Sequence, residues 1–314
     1  MSRIHEALKK AEEERASRPL TPPAPKTAEL SLSGTATQEG VLANAAEDAS
    51  TSATGGLDDC ADQLTLEVIR TQVRRFKWTP NPKTMLFFGQ EAYAPGTEEF
   101  RTLRTRLYGM RDFQPLRTLL IASASPREGK SFIAANLAQI IVKQPDRRVL
   151  LIDADLRWSR LHLLLGTFLT PGLSDYLRGE ANELSIMQRG PLDNLFFIAG
   201  GKHSSDPAEL IASGRLKDLL LRLAPLFDWV IIDSPPVMAV SDPRMMADMC
   251  DGVLLVVAAG MGSYELVQKA RQQFDAKRML GVVLNRADPR LSYSHKYYGY
   301  YQGPAKDGNG KGKG

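Results

Sequence analysis

The chain has 314 residues, a formal net charge of +4 at pH 7 and two cysteines, with an isoelectric point of about 9.0. That length suffices for one large or two modest domains. The mild basic excess is scattered along the chain, so it permits contact with an acidic surface but does not require nucleic acid, and no nucleic-acid partner is expected. Cys60 and Cys250 lie far apart with no partner motif, which argues against a disulfide framework or a zinc site and fits a reducing compartment. The longest purely apolar run, Val253 to Ala259, is too short to cross a bilayer, and the opening MSRIHEALKKAEEER lacks the apolar centre of a signal peptide. The expectation is a cytoplasmic protein.

Residues 1–16 predict a short N-terminal helix. Ile4, Ala7, Leu8 and Ala11 recur at helical spacing and Ser2 can cap it. Its apolar stripe is narrow, which suits either a marginal surface helix or a docking peptide. Residues 17–63 are rich in Pro, Ala, Thr, Ser and Gly and cannot bury enough apolar surface to offset their ordering entropy, so they read as a disordered tether. The folded domain is expected over 64–291. Apolar runs of strand length stand at Arg117–Ser123, Arg148–Ile152, Asn194–Ile198, Trp229–Ile232, Gly252–Val257 and Leu280–Leu284, and helical segments at Lys130–Lys143, Pro207–Leu223 and Ser263–Phe274. Most of the strands are apolar on both faces, the mark of a parallel sheet covered by helices on each side. The pattern is therefore α/β, doubly wound and mostly parallel, with ligands at the carboxyl ends of the strands. Residues 292–314 have neither period; they form a tyrosine-rich tail holding five of the nine tyrosines.

Three motifs carry chemistry. The first is Ser123–Ser131, SASPREGKS, between a predicted strand and a predicted helix. Its end fits the phosphate-binding loop G-x-x-x-x-G-K-[ST], and the strand–loop–helix setting is what such a match needs. Backbone N–H groups and the positive dipole end favour phosphate there. Lys130 supplies a point charge to the β and γ phosphates and Ser131 can coordinate Mg²⁺. Ala124 replaces the first glycine, which is harmless if its φ stays negative. Arg127 either strains the loop, at about 1–2 kcal/mol if that position needs φ > 0, or turns outward, or turns onto the phosphates. The second motif, Leu150–Arg157 (LLIDADLR), ends a buried strand with Asp153 and Asp155, which alternation lets face one side. Beside a triphosphate they could hold Mg²⁺ through water or take a proton from an incoming hydroxyl. In the third, Phe227–Pro236 (FDWVIIDSPP), Asp233 directly follows an apolar strand, the usual second magnesium-holding carboxylate of phosphate-loop enzymes.

In this order, with GLSDYLRGE at 172–180, DPAELIASGRLKDLLLRL at 206–223 and GVVLNRAD at 281–288, the sequence resembles the bacterial tyrosine kinases of capsule and exopolysaccharide systems. The opening MSRIHEALKKAE is similar to the exosortase-associated subgroup. The resemblance implies a phosphate-loop fold related to MinD and ParA and ATP with Mg²⁺ as cofactors. It implies nucleotide contacts from Ser125, Arg127, Glu128, Gly129, Lys130, Ser131 and Phe132, and Asn285 in the position of an adenine-contacting loop, though a strand-end turn residue reads the same way. It implies metal ligation by Ser131, Asp155 and Asp233, and catalysis by Lys130, Asp153 and Asp155, with Asp153 as the base that orients a tyrosine hydroxyl. Arg127 stands where the family has glycine. Tyr293, Tyr297, Tyr298, Tyr300 and Tyr301 look like the phosphoacceptor cluster; a packing tail is the plainer reading. Glu98, Arg101 and Arg104 resemble the family's E-x-x-R-x-x-R interface of a ring homo-oligomer, while within one subunit they could form a solvated ion pair. The implied function is autophosphorylation that regulates polysaccharide synthesis and export, by a chain recruited to the inner face of the cell membrane through a separate transmembrane co-polymerase or chain-length-determinant protein. The alternative is a regulatory ATPase switch of the MinD/ParA type without kinase activity. Those proteins use a second lysine early in the loop, where this chain has Ala124, Ser125 and Pro126.

Overall fold

The computed structural model describes residues 64–88 and 96–288. The helix expected over 1–16, the tether over 17–63 and the tail over 292–314 lie outside the described residues.

In chain order the elements are α1 (Leu66–Gln72), α2 (Thr97–Arg111), β1 (Thr118–Ser123), α3 (Lys130–Val142), β2 (Val149–Asp153), α4 (Leu161–Leu165), α5 (Leu173–Leu177), α6 (Glu183–Ile186), β3 (Met187–Arg189) and β4 (Leu195–Ile198). There follow α7 (Pro207–Ala212), α8 (Arg215–Leu223), β5 (Trp229–Asp233), α9 (Asp242–Asp248), β6 (Gly252–Ala258), α10 (Tyr264–Arg271) and β7 (Met279–Asn285). The seven strands form one sheet in the order β3-β4-β2-β5-β1-β6-β7. Every pairing is parallel except β3 with β4.

Alternation along the strands divides the core into two. Leu120, Leu150, Ile152, Val230, Ile232 and Leu255 point to one face, where α1, α5, α8 and α9 pack. Leu119, Ile121, Leu151, Trp229, Ile231 and Val256 point to the other, under α2, α3 and α4. Burial on both faces explains why β1, β2, β4, β5 and β6 are continuously apolar; β7, at the sheet edge, is apolar too but leaves Val282 and Leu284 exposed. All six expected strands are present, within a residue or two of their expected ends. Two features differ. The short edge strand β3 carries no apolar run of its own; it pairs antiparallel with β4 and bridges Arg75 through Arg189. The helix expected over 207–223 breaks into α7 and α8 because Gly214 takes φ +83°, a left-handed conformation that glycine adopts without a Cβ penalty.

One register detail positions the site. Within the β2–β5 pair, Asp153 lies directly opposite Asp233 at the carboxyl end of the sheet. Two acidic strand ends are thus side by side, next to the loop that leaves β1.

Candidate active site

The loop between β1 and α3 is held from within. The buried Glu128 carboxylate accepts the Ser125 N–H at 2.7 Å, and the Ser123 hydroxyl donates to the Ser125 carbonyl at 2.9 Å. Asn285, at the end of β7, donates from Nδ2 to the Glu128 carbonyl at 2.8 Å, and its Oδ1 accepts the Arg286 N–H at 2.9 Å. Asn285, expected either as an adenine contact or as a strand-end turn residue, thus also buttresses the loop from β7. Ala124 is buried and is not among the positive-φ residues, so the missing glycine costs nothing there. Gly129 has φ +98°, and a Cβ on it would sit 2.1 Å from Asn285 Nδ2, so this position requires glycine. Arg127 also takes a left-handed φ, +66°, and its side chain is exposed. No side chain caps the N-terminus of the 13-residue α3, which leaves its first N–H groups available to an anion. Phe132, in its first turn, packs edge-on against Phe100 at 5.8 Å between centroids.

Lys130 Nζ lies 3.2 Å from Asp155 Oδ2, with both side chains largely withdrawn from solvent. Burial alone would lower the ammonium pKa, but the nearby Asp233 and Asp155 carboxylates, with Asp153 behind them, outweigh it and raise the pKa. Asp153 is fully buried. Its Oδ2 accepts from Ser159 Oγ at 2.6 Å and from the Arg160 and Leu161 N–H groups at 3.0 Å each. Its Oδ1 accepts only the Asp155 N–H, at 3.2 Å, and keeps one lone-pair direction free. Burial pushes its pKa up to about 6 against those hydrogen bonds. Asp233 is the least satisfied group. Burial raises its pKa to about 7, although Lys130 opposes the rise. The Ser131 hydroxyl is close enough to favour the ionised form, yet neither Asp233 oxygen has a partner at hydrogen-bond distance and angle. A single off-line hydroxyl does not satisfy two buried oxygens.

An orphaned buried carboxylate beside Ser131 fits a divalent cation. Among the described residues no three His, Cys, Asp or Glu side chains close on one point to form a protein-only metal cage. Mg²⁺ does not need one: it is held by one or two carboxylates with water and phosphate oxygens.

The fold thus gathers Ser125, Glu128, Gly129, Lys130, Ser131, Asp153, Asp155, Asp233 and Asn285 at the carboxyl end of the sheet. It does not bring Glu98, Arg101 and Arg104 there. On α2, Arg101 pairs with Glu98, and Arg104 donates to the Ile140 carbonyl of α3 at 3.0 Å, which ties the helices together inside the subunit. The acceptor tyrosines lie outside the described residues. Two contributors were not read from the sequence. Ser159 orients Asp153 from six residues downstream, where no motif marks it. Arg157 makes a two-pronged ion pair at 3.2 and 3.4 Å with the buried Asp242, joining the loop after β2 to the start of α9; a basic residue after D-x-D and an acid before proline were its only signals.

A doubly wound sheet with a phosphate loop and facing strand-end carboxylates defines a nucleotide-binding domain. Residues 119–302 match the CobQ/CobB/MinD/ParA nucleotide binding domain family. Over 207 residues the chain is 34% identical to the tyrosine-protein kinase YwqD of Bacillus subtilis, an alignment covering 65% of this chain and 86% of YwqD. It is equally identical to the tyrosine-protein kinase wzc of Salmonella typhimurium but spans only 28% of that longer protein. The kinase domain of the Escherichia coli tyrosine kinase ETK superposes with a TM-score of 0.61 at 29% identity, over 71% of this chain and 86% of that domain. The BceF tyrosine kinase domain gives 0.57 at 29% identity, over 69% and 85%. The chain belongs to the bacterial tyrosine kinases built on this nucleotide-binding domain. Among the described residues no helix is long and apolar enough to cross a membrane.

Proposed function

We propose that this chain is an ATP-dependent tyrosine autokinase that phosphorylates its own carboxyl-terminal cluster, Tyr293, Tyr297, Tyr298, Tyr300 and Tyr301. The observation that carries the reading is the unpartnered Asp233 carboxylate set among Lys130, Ser131, Asp153 and Asp155. Such an arrangement is costly unless a cation and phosphate complete it.

Each residue has a role that follows from its surroundings. Lys130 exchanges Asp155 for the β- and γ-phosphates, and the first N–H groups of α3 cradle their oxygens. Ser131, Asp233 and Asp155 would hold Mg²⁺, which supplies charge neutralisation at those phosphates. Asp153, fixed through Oδ2, presents Oδ1 to the phenol, whose pKa is about 10 when free. The phenolic oxygen forms the new bond to the γ-phosphorus, the bridging bond to the β-phosphate breaks with its electron pair leaving on ADP, and the phenolic proton passes to Asp153 Oδ1. A carboxyl pKa near 6 suits a base working near neutral pH.

Five phosphates on the tail would add about −8 to −10 charges, at about −1.5 to −2 each. That change is large enough to loosen an assembly by like-charge repulsion. The same reading includes a ring homo-oligomer with Glu98, Arg101 and Arg104 at its interface and phosphorylation in trans. It also includes control of capsule or exopolysaccharide synthesis and export, at the inner membrane face, through a transmembrane co-polymerase. Incubation with ATP and Mg²⁺ followed by mass spectrometry should find phosphotyrosine confined to residues 293–301 and absent in Lys130→Met. Labelling that persists in Lys130→Met, or an unlabelled wild type, overturns the assignment.

A further inference from the structure

Trp158 follows the second carboxylate of the D-x-D motif by three residues, and its side chain is 73% exposed. The other two tryptophans, Trp78 and Trp229, are buried at 4% and 0%. A lone exposed apolar residue means little by itself. The backbone of Trp158, however, is held by the site. Its N–H donates to Asp155 Oδ1 at 3.0 Å, while the other oxygen of that carboxylate meets Lys130. On its far side Ser159, Arg160 and Leu161 all donate to Asp153 Oδ2. On its near side Arg157 is fixed to buried Asp242. The loop is pinned at every residue around an indole that no core contact explains, within one side-chain length of the carboxylate paired to Lys130. Phe113 is equally free of the core but lies ahead of β1, at the opposite end of the sheet.

We propose that Trp158 is the platform on which the aromatic ring of the acceptor tyrosine stacks, and so a specificity-determining residue for phosphoryl transfer. The proposal rests on the autokinase reading above. The acceptor segment, LSYSHKYYGYYQ at 291–302, has complementary chemistry: five phenol rings for offset or edge stacking, and Lys296 for the indole face. With its backbone fixed before the substrate arrives, Trp158 loses only side-chain freedom on binding. It also selects phenol over the serine hydroxyls of the same segment, Ser292 and Ser294, which cannot stack.

The test uses the full-length chain and a synthetic peptide of residues 291–302. Trp158→Ala should raise the KM for the peptide about three- to tenfold with the KM for ATP unchanged, and Trp158→Phe should stay within about twofold of wild type. Added peptide should also shield the exposed tryptophan from acrylamide quenching, a signal that the two buried tryptophans do not supply. An unchanged peptide KM in Trp158→Ala, an ATP KM that rises by the same factor, or quenching unaffected by peptide each overturns the proposal. Absence of peptide phosphorylation by the wild-type chain would instead remove the kinase reading, and the quenching measurement would still decide whether the peptide docks at Trp158.

Discussion

Arg127 and Gly129 stand two residues apart in the same loop, both with left-handed φ, +66° and +98°. Only one of them is glycine. For an L-residue with a long side chain that conformation costs about 1–2 kcal/mol, and nothing packs on the exposed arginine to offset it. Arg127→Gly removes the strain but adds unfolded-chain entropy of about 0.4–1 kcal/mol, so the net gain in urea-unfolding stability is expected to be up to about 1.6 kcal/mol. ATP affinity should stay within about twofold of wild type, RT ln 2 being only about 0.4 kcal/mol; a larger fall would mean that the guanidinium holds phosphate. The sequence showed that an arginine occupied the cradle. It could not show which way the backbone turned, because that depends on Glu128 and Asn285 fixing the loop from inside and from β7.

Helix α3 shows the same limit one scale up. Its apolar residues and its place after a strand made it readable, but two of its polar residues are wholly buried. Asn136 accepts the Leu86 N–H at 2.8 Å and donates to the Thr84 carbonyl at 2.8 Å. Gln139 accepts the Phe87 N–H at 3.3 Å and donates to the Ala135 carbonyl at 3.0 Å. The amides thus act as a surrogate strand for residues 84–87, which have no ladder partner. No local pattern announces this, since the partners lie 50 residues earlier. The five inner strands were legible for the opposite reason: burial on both faces writes itself into every residue of a run. Asn136→Leu keeps a similar branched shape but strands one N–H and one carbonyl, and at about 1–3 kcal/mol per buried unsatisfied group it should cost roughly 2–6 kcal/mol. Urea unfolding measures that loss; a change under about 1 kcal/mol would show that water replaces the amide.

Across the whole molecule, the opposed strand ends make folding itself sensitive to pH. Asp153 and Asp233 have folded pKa values near 6 and 7, both above the ordinary 3.8, because burial disfavours their charged forms. Between about pH 4 and 7 the folded chain therefore holds protons that the unfolded chain has released, and stability falls as pH rises through that window. Other groups act differently. The Arg148 N–H and the Arg147 and Arg148 guanidiniums outweigh burial at Asp228 and lower its pKa, so its stabilising effect is lost only in more acidic solution. Half-buried His162 has a lowered pKa, so it costs stability as the pH drops below its unfolded value of 6.5. The informative quantity is accordingly the difference between wild type and Asp233→Asn, an isosteric change that removes one titrating group and leaves the others. In EDTA, without nucleotide, the wild type should lose melting temperature relative to Asp233→Asn between pH 5 and pH 8. ATP with Mg²⁺ should close that gap at pH 8, because the cation stabilises the ionised carboxylate that burial penalises. Parallel pH profiles for the two proteins would show that Asp233 is solvated in the free protein, and the electrostatic case for a cation at that carboxylate would go with them.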